Sequence, residues 1–182
     1  RKSSMTSLLY LASFPLRGAS AGSKTACCIA ASLMIGLLVP QASFAQAPLK
    51  LIALTADWCA KCHVLEPALA RALEETPDGT VDYVEIDFTH IRDGQQARQG
   101  IEGASRARLT LHKAGWLWER HGATTGLAWL IATDTGEPLA CFTSAVSASA
   151  MTEEIRHSAR LVESTPPGKR AAGQPDCPGL IE

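Results

Sequence analysis

The sequence has no long hydrophobic run and no strong charge of either sign. Its longest apolar stretch, residues 26–39, has 14 residues, whereas a helix needs about 20 to cross a bilayer. The formal net charge is −1 at pH 7. A chain without a net positive charge is a poor candidate for binding nucleic acid or an anionic membrane. These two shortages argue against a membrane-spanning protein and against a nucleic-acid-binding protein.

Acidic residues are missing altogether from the first 45 positions. Residues 1–45 hold four basic residues, then the apolar stretch, then the small-residue site Ser43-Phe44-Ala45. This order is typical of a secretory signal peptide. We therefore expect cleavage after Ala45 and a periplasmic or secreted protein. Cleavage would leave 137 residues with 13 basic and 18 acidic side chains, a formal charge of −5.

Cysteines are few, and their positions are informative. The chain has six, of which two leave with the predicted signal peptide and four remain: Cys59, Cys62, Cys141 and Cys177. Disulfides persist in an oxidising compartment outside the cytosol. Cys141 and Cys177 could form a disulfide there. Alternatively, Cys141 is a buried thiol that packs as an apolar residue and Cys177 is a free thiol, and the spacing leaves both possibilities open.

The stretch Cys59-Ala60-Lys61-Cys62 stands where an apolar strand meets an amphipathic helix. Two cysteines separated by two residues at such a junction are typical of thiol–disulfide exchange. Cys59 would lie at the helix N-terminus, where the helix dipole favours a thiolate nucleophile. Cys62, one turn further, would resolve the mixed disulfide. Lys61 adds positive charge, and Trp58 would shield the sulfurs.

Two other interpretations use the same residues. Cys59 to His63 also spells the haem c attachment pattern, with His63 as axial ligand and Met151 as a candidate second ligand. Cys59, Cys62 and His63 could instead bind copper or zinc. Strand signals on both sides of the motif argue against an all-helical haem domain, and we prefer thiol exchange. The remaining histidines show no ligand spacing, and we expect them at the surface: His90, His112, His121 and His157.

Hydrophobic periodicity predicts an α/β domain with a mixed four-stranded sheet covered by helices, in the order β-α-β-α-β-β-α. We assign the domain to residues 46–163 and a flexible tail rich in proline and glycine to residues 164–182. Residues 90–121 are predicted to contain one or two helices. Basic residues are frequent in this middle segment, which favours a solvated helix face, with docking of an acidic partner as the alternative: Arg92, Arg98, Arg106, Arg108, Lys113 and Arg120.

The motif Thr-Ala-Asp-Trp-Cys-x-x-Cys at residues 55–62, with Pro67 downstream, resembles the active-site motif of the thioredoxin-like superfamily. It looks most like the C-terminal thioredoxin-like domain of the DsbD-type periplasmic thiol reductases, and the likeness covers residues 49–163. The resemblance implies a monomeric protein-disulfide reductase without a bound cofactor. Its partners would be protein thiols and disulfides, including a membrane thiol-electron carrier. His63 and Pro67 would help to shape the active site.

The sequence departs from that family at two positions. The resemblance aligns Thr125-Gly126-Leu127-Ala128 with the loop that faces the cysteines, and it puts Ala128 where the family has a cis-proline. A cis bond before a residue other than proline costs about 2.5–4 kcal/mol, so we expect a trans bond. The family's loop pairs with substrate and keeps metal from the sulfurs. Ala53 stands where the family often buries a carboxylate, and Glu85 is a candidate substitute.

Overall fold

The computed structural model describes residues 46–170 and Cys177, in which strands and helices alternate. Within that part of the chain, no helix is both long and apolar enough to cross a membrane. The segment 90–121 contains two α-helices, and a 3-10 helix begins just before it. In chain order the elements are β1 Leu49–Thr55, α1 Ala60–Glu74, β2 Val81–Asp87, the 3-10 helix Thr89–Arg92, α2 Gln95–Leu111, α3 Gly115–His121, β3 Leu127–Ala132, β4 Pro138–Thr143 and α4 Ala148–Ser164.

The four strands form one mixed sheet in the order β2-β1-β3-β4. β1 is parallel to β2 and antiparallel to β3, and β3 and β4 are antiparallel. Every residue of β1 is buried, which explains why this central strand is an almost continuous apolar run rather than an alternating pattern. The predicted α/β architecture is confirmed. The pairing of Leu54 with Leu127 brings the start of β3 to the end of β1, beside the cysteines.

The sheet separates two apolar clusters because successive strand side chains point to opposite faces. On one face Ile52, Leu54 and Trp129 pack with Leu109 of α2 and Leu117 of α3, and this cluster also contains Cys59 and Cys62. On the other face, β1 and β3 contribute residues that pack with α1 and α4: Leu49, Leu51, Ala53, Ala128, Leu65, Leu69, Met151 and Ile155. The cysteine pair therefore lies on the α2 and α3 side of the sheet.

The described part of the C-terminal tail is anchored to the domain. Arg170 is 7% exposed, and it donates hydrogen bonds to the Asp134 carboxylate and to the main-chain oxygens of Val162 and Thr165. The hydrogen bond from Arg170 holds the pKa of Asp134 below its ordinary value, against a smaller opposing effect of burial. Cys177 is bonded to Cys141. Composition alone does not report such ion pairs or disulfides with distant residues, and the flexible tail predicted over residues 164–182 lies largely outside the described residues.

A buried lysine and a partly buried histidine meet at the start of β1. The Lys50 Nζ lies 3.1 Å from the His112 Nδ1 and 3.5 Å from an Asp82 oxygen. Lysine has only donors, so His112 must accept through a neutral ring nitrogen. Burial and then the charges of Lys50 and Arg108 lower the pKa of His112, and Asp82 opposes them. Neither His112 nor His121 is a fully exposed surface residue, in contrast to the expectation from the sequence.

The protein is expected to lose stability as the pH falls from 7 to 5. Burial lowers the pKa of His121 as it does that of His112, with Arg120 adding to the effect. Below the ordinary value of 6.5, the unfolded chain takes up protons that the folded chain does not. Stability is therefore lost as pH falls through that value, and is unaffected by these groups well above it.

Urea unfolding at pH 7 and pH 5 measures this loss. The variant His112→Gln retains an acceptor but cannot titrate, so its free energy of unfolding should fall less between the two pH values than that of the wild type. An equal fall in the two proteins would contradict the assignment to His112.

Candidate active site

The first cysteine caps the helix that follows it. Cys59 is the N-cap of α1, with extended backbone, and its sulfur accepts a hydrogen bond from the Cys62 N–H at 3.1 Å. This position usually holds a serine, threonine or aspartate whose oxygen accepts the same bond. The Cys59 sulfur therefore lies at the positive end of the helix dipole, which stabilises a thiolate.

Cys59 and Cys62 are joined as a disulfide, with their Cα atoms 5.2 Å apart. Cys59 is 5% exposed and Cys62 is 1% exposed. The Cys62 sulfur also lies 4.0 Å from the main-chain oxygen of Leu54. Both sulfurs are sheltered, and Cys59 is the one with some access to solvent, as a nucleophile that meets a partner requires.

Trp58, which immediately precedes Cys59, is held in place by a hydrogen bond and a cation–π contact. Its indole N–H donates to the main-chain oxygen of Thr89 at 2.9 Å. The Thr89 hydroxyl accepts from the Asp57 N–H and donates to the Asp87 carboxylate. The guanidinium of Arg92 lies over the indole, 3.3 Å from the ring centroid. Sequence reasoning did not place Thr89 or Arg92 beside the cysteines. The parallel pairing of β1 with β2 could have indicated these contacts, because it brings together the residues that follow the two strands.

Gly126 faces the disulfide from the start of β3. Its φ is +81°, and a Cβ at this position would lie 2.8 Å from the Lys61 Cβ and 3.4 Å from the Cys59 sulfur. Its N–H donates to the main-chain oxygen of Leu54 at 2.9 Å. Both the positive φ and the close approach favour glycine here.

Ala128 lies two residues beyond the position that faces the cysteines. It is within β3, fully buried, and pairs with Ala53. Its side chain packs on the opposite face of the sheet, with α1 and α4, whereas Leu127 packs on the cysteine side. Of the predicted facing loop, Gly126 lies at the cysteines, whereas Ala128 lies inside β3, because the pairing of β3 with β1 begins at Leu127. No cis peptide bond occurs between residues 46 and 170, in agreement with the expected trans bond.

The other candidate residues surround the helix start or lie apart from it. The His63 Nε2 is 2.9 Å from the main-chain oxygen of Asp57, and Pro67 lies inside α1. Met151 is fully buried in the cluster on the other face of the sheet, so it does not join His63 at the cysteines. In the described residues, no three His, Cys, Asp or Glu side chains form a group suited to a metal ion.

Glu85 is placed beside the position where the family often has a carboxylate. It pairs with Ala53 in the parallel register of β1 and β2. Its carboxylate accepts a hydrogen bond of 2.7 Å from the Thr55 hydroxyl, and its side chain is exposed. The carboxylate is thus bound to Thr55 at the end of β1.

The second pair of cysteines forms the disulfide that the sequence left open. Cys141 and Cys177 are bonded, with Cα atoms 4.9 Å apart and a sequence separation of 36. Cys141 lies in β4 opposite Trp129 of β3, and Cys177 packs against the same apolar cluster. This disulfide ties the tail to the edge strand of the sheet.

Replacing Gly126 by alanine is expected to destabilise the protein more than the same change at Gly79. Both glycines have φ near +80°, at +81° and +76°, but a Cβ at Gly79 would meet no atom within 4 Å. Gly79→Ala should cost about 1 kcal/mol of unfolding free energy through the backbone alone. Gly126→Ala must also displace the Lys61 side chain, so its cost should be larger. Urea unfolding measures both, and equal costs would contradict the close packing at Gly126.

Comparison with known proteins agrees with this geometry. A family model described as Thioredoxin matches residues 41–115, a span that includes β1, α1, β2, α2 and both cysteines of the site. No curated protein and no solved structure matches the chain. The fold and the site define an α/β domain with a Cys-x-x-Cys disulfide at a helix N-terminus. Together with the family match, they support the thioredoxin-like superfamily.

Proposed function

We propose that this protein is an exported thiol–disulfide oxidoreductase that reduces disulfides in partner proteins. The observation that carries the proposal is the Cys59–Cys62 disulfide at the start of α1, with the Cys59 sulfur as helix cap. Such a pair can change between a dithiol and a disulfide while the helix and the strand that hold it stay in place. No bound cofactor is needed, since the two sulfurs carry both electrons.

Reduction proceeds in two exchanges. The Cys59 thiolate attacks one sulfur of the partner disulfide, which forms a mixed disulfide and releases the other partner sulfur as a thiolate that takes up a proton. The Cys62 thiolate then attacks the Cys59 sulfur and releases the second partner thiol. The partner gains two electrons, and the Cys59–Cys62 disulfide is formed. A dithiol donor must then reduce this disulfide by the same chemistry in reverse.

The direction, the compartment and the donor are supported by sequence features. The motif at residues 55–62 resembles that of DsbD-type thiol reductases, which favours reduction and a membrane thiol-electron carrier as donor. The pattern in residues 1–45 favours export to the periplasm. The formal charge of −5 that cleavage would leave, from 13 basic and 18 acidic side chains, favours protein partners over nucleic acid.

A redox titration tests the proposal. The purified protein is equilibrated with glutathione mixtures, alkylated and digested, so that mass spectrometry reads Cys59 and Cys62 separately from Cys141 and Cys177. A two-electron transition at Cys59 and Cys62 with a reduction potential of about −270 mV is expected for a reductant, whereas a potential of about −120 mV would indicate an oxidant. Resistance of both cysteines to reduction would remove the proposal. Intact and native mass would then detect covalent haem or bound copper or zinc.

A further inference from the structure

A positively charged side chain is held in place next to the redox disulfide. The guanidinium of Arg92 lies on the indole of Trp58, 3.3 Å from the ring centroid. Trp58 immediately precedes Cys59, and its N–H is bound to Thr89 of the 3-10 helix that also holds Arg92. The cation–π contact therefore fixes an exposed charge against a ring that is itself fixed. Such a charge loses less conformational freedom on binding than a free arginine.

The charge of Arg92 is not neutralised within the described residues. No carboxylate of residues 46–170 forms an ion pair with it, and the nearby Asp93 is bound to His90 at 2.8 Å. The guanidinium carbon lies 3.3 Å from the centroid of the Trp58 ring, and no side-chain or main-chain oxygen in the described residues accepts a hydrogen bond from the guanidinium N–H groups. Those N–H groups can donate two parallel hydrogen bonds to a carboxylate.

Charges of both signs lie around Trp58 and the disulfide. Lys61 is exposed, and its Cβ lies against Gly126 on the Cys59 side. Of the two exposed aspartates near Trp58, Asp87 already accepts two hydrogen bonds from Thr89. Asp57 stands one residue before Trp58. Two exposed carboxylates, Asp57 and Asp87, thus accompany the cations Arg92 and Lys61, and Arg92 is the cation held against an aromatic ring.

We propose that Arg92 is a docking residue that selects partner proteins with a carboxylate close to the reacting cysteine. The proposal rests on the thiol–disulfide exchange proposed above. Arg92 lies over the ring of Trp58, and Trp58 immediately precedes Cys59. When a partner cysteine is joined to Cys59, the residues that flank it in the partner would therefore meet the guanidinium. An aspartate or glutamate there would form a charge-assisted bidentate contact, which a neutral or basic side chain cannot make. The docking of an acidic partner that the sequence suggested is thus assigned to Arg92.

Two disulfide-containing peptides test the proposal. They are identical except that glutamate or glutamine flanks the cysteine, and the kcat/KM for reduction of each is measured. The wild type should prefer the glutamate peptide by about three- to fivefold, the effect of an exposed ion pair. Salt at 0.5 M should reduce the preference, because it screens exposed charges. Arg92→Gln should abolish the preference, and Arg92→Lys should restore only part of it.

A matched control removes the same charge elsewhere. Arg160 is exposed on α4, which packs on the opposite face of the sheet, so Arg160→Gln should keep the full preference. Equal rates for the two peptides in the wild type, or an unchanged preference in Arg92→Gln, overturn the docking proposal but leave the exchange activity intact. Failure of the wild type to reduce either peptide overturns both. A thermal unfolding midpoint unchanged from the wild type verifies that Arg92→Gln is folded.

Discussion

Replacing Cys59 by serine is expected to abolish disulfide reduction, whereas replacing Cys62 by serine should trap the partner. Without the Cys59 sulfur no mixed disulfide forms, so the rate of insulin reduction should fall at least about 100-fold, to the uncatalysed rate. In Cys62→Ser the first exchange still occurs, but no second thiolate attacks the Cys59 sulfur. The mixed disulfide should then accumulate and appear in nonreducing electrophoresis and in the intact mass.

The roles of the two cysteines follow from their surroundings. The Cys59 sulfur accepts a hydrogen bond from the Cys62 N–H at the helix start, and Cys59 is 5% exposed whereas Cys62 is 1% exposed. A control variant with Cys141 and Cys177 both changed to alanine should reduce insulin at close to the wild-type rate. If Cys59→Ser were active and Cys62→Ser inactive without trapping, the assignment of nucleophile and resolving thiol would be reversed.

Removing the Cys141–Cys177 disulfide is expected to produce the largest loss of stability. The bond closes a loop with a sequence separation of 36, and loop-closure entropy for that length corresponds to about 3–4 kcal/mol. Alanine is the suitable replacement at Cys141, which is 5% exposed, because a serine hydroxyl there would need a buried partner. Urea unfolding of Cys141→Ala/Cys177→Ala should show the loss as a lower midpoint concentration.

A second double variant provides the comparison. Cys59→Ala/Cys62→Ala removes a disulfide with a sequence separation of 3, and its loss should be smaller because closure entropy grows with loop length. Both variants remove two sulfurs, but Cys59→Ala also removes the N-cap of α1, which costs about 1 kcal/mol. A larger loss in the first variant therefore reflects its longer loop. Equal urea midpoints for the two double variants, or a midpoint of Cys141→Ala/Cys177→Ala equal to that of the wild type, would contradict a stabilising role of the Cys141–Cys177 disulfide. Arg170 gives the tail a second anchor, which limits how far the tail loosens when the disulfide is removed.

Much of the fold could be predicted because its signals are local. The buried run Leu49–Thr55 and the turn between β3 and β4 each depend on a few adjacent residues. The Cys-x-x-Cys spacing also carries its chemistry locally, since the helix start alone gives Cys59 its electrostatic environment. For residues 90–121 the sequence predicts only one or two helices, because glycines interrupt the apolar pattern. The pattern therefore does not show where α2 ends and where α3 begins.

The residues around the disulfide depended on pairings between distant segments. The family resemblance predicted that the loop Thr125-Gly126-Leu127-Ala128 faces the cysteines, but strand register decides which of its residues does so. The pairing of β3 with β1 leaves Gly126 facing the Cys59 sulfur and places Ala128 inside β3. The stacking of Arg92 on Trp58 likewise needed the parallel pairing of β1 with β2. Neither contact has a local signature.

By itself, the sequence determined the order of strands and helices, the mixed α/β class and the redox pair Cys59 and Cys62, because hydrophobic periodicity and motif spacing are properties of neighbouring residues. The tertiary structure decided which backbone faces the sulfurs, which charge borders them, and how Cys177 and Arg170 anchor the tail. Those outcomes arise from strand register, ion pairing and disulfide bonding between residues far apart in the chain. Their free energies depend on three-dimensional proximity, which a linear pattern does not contain.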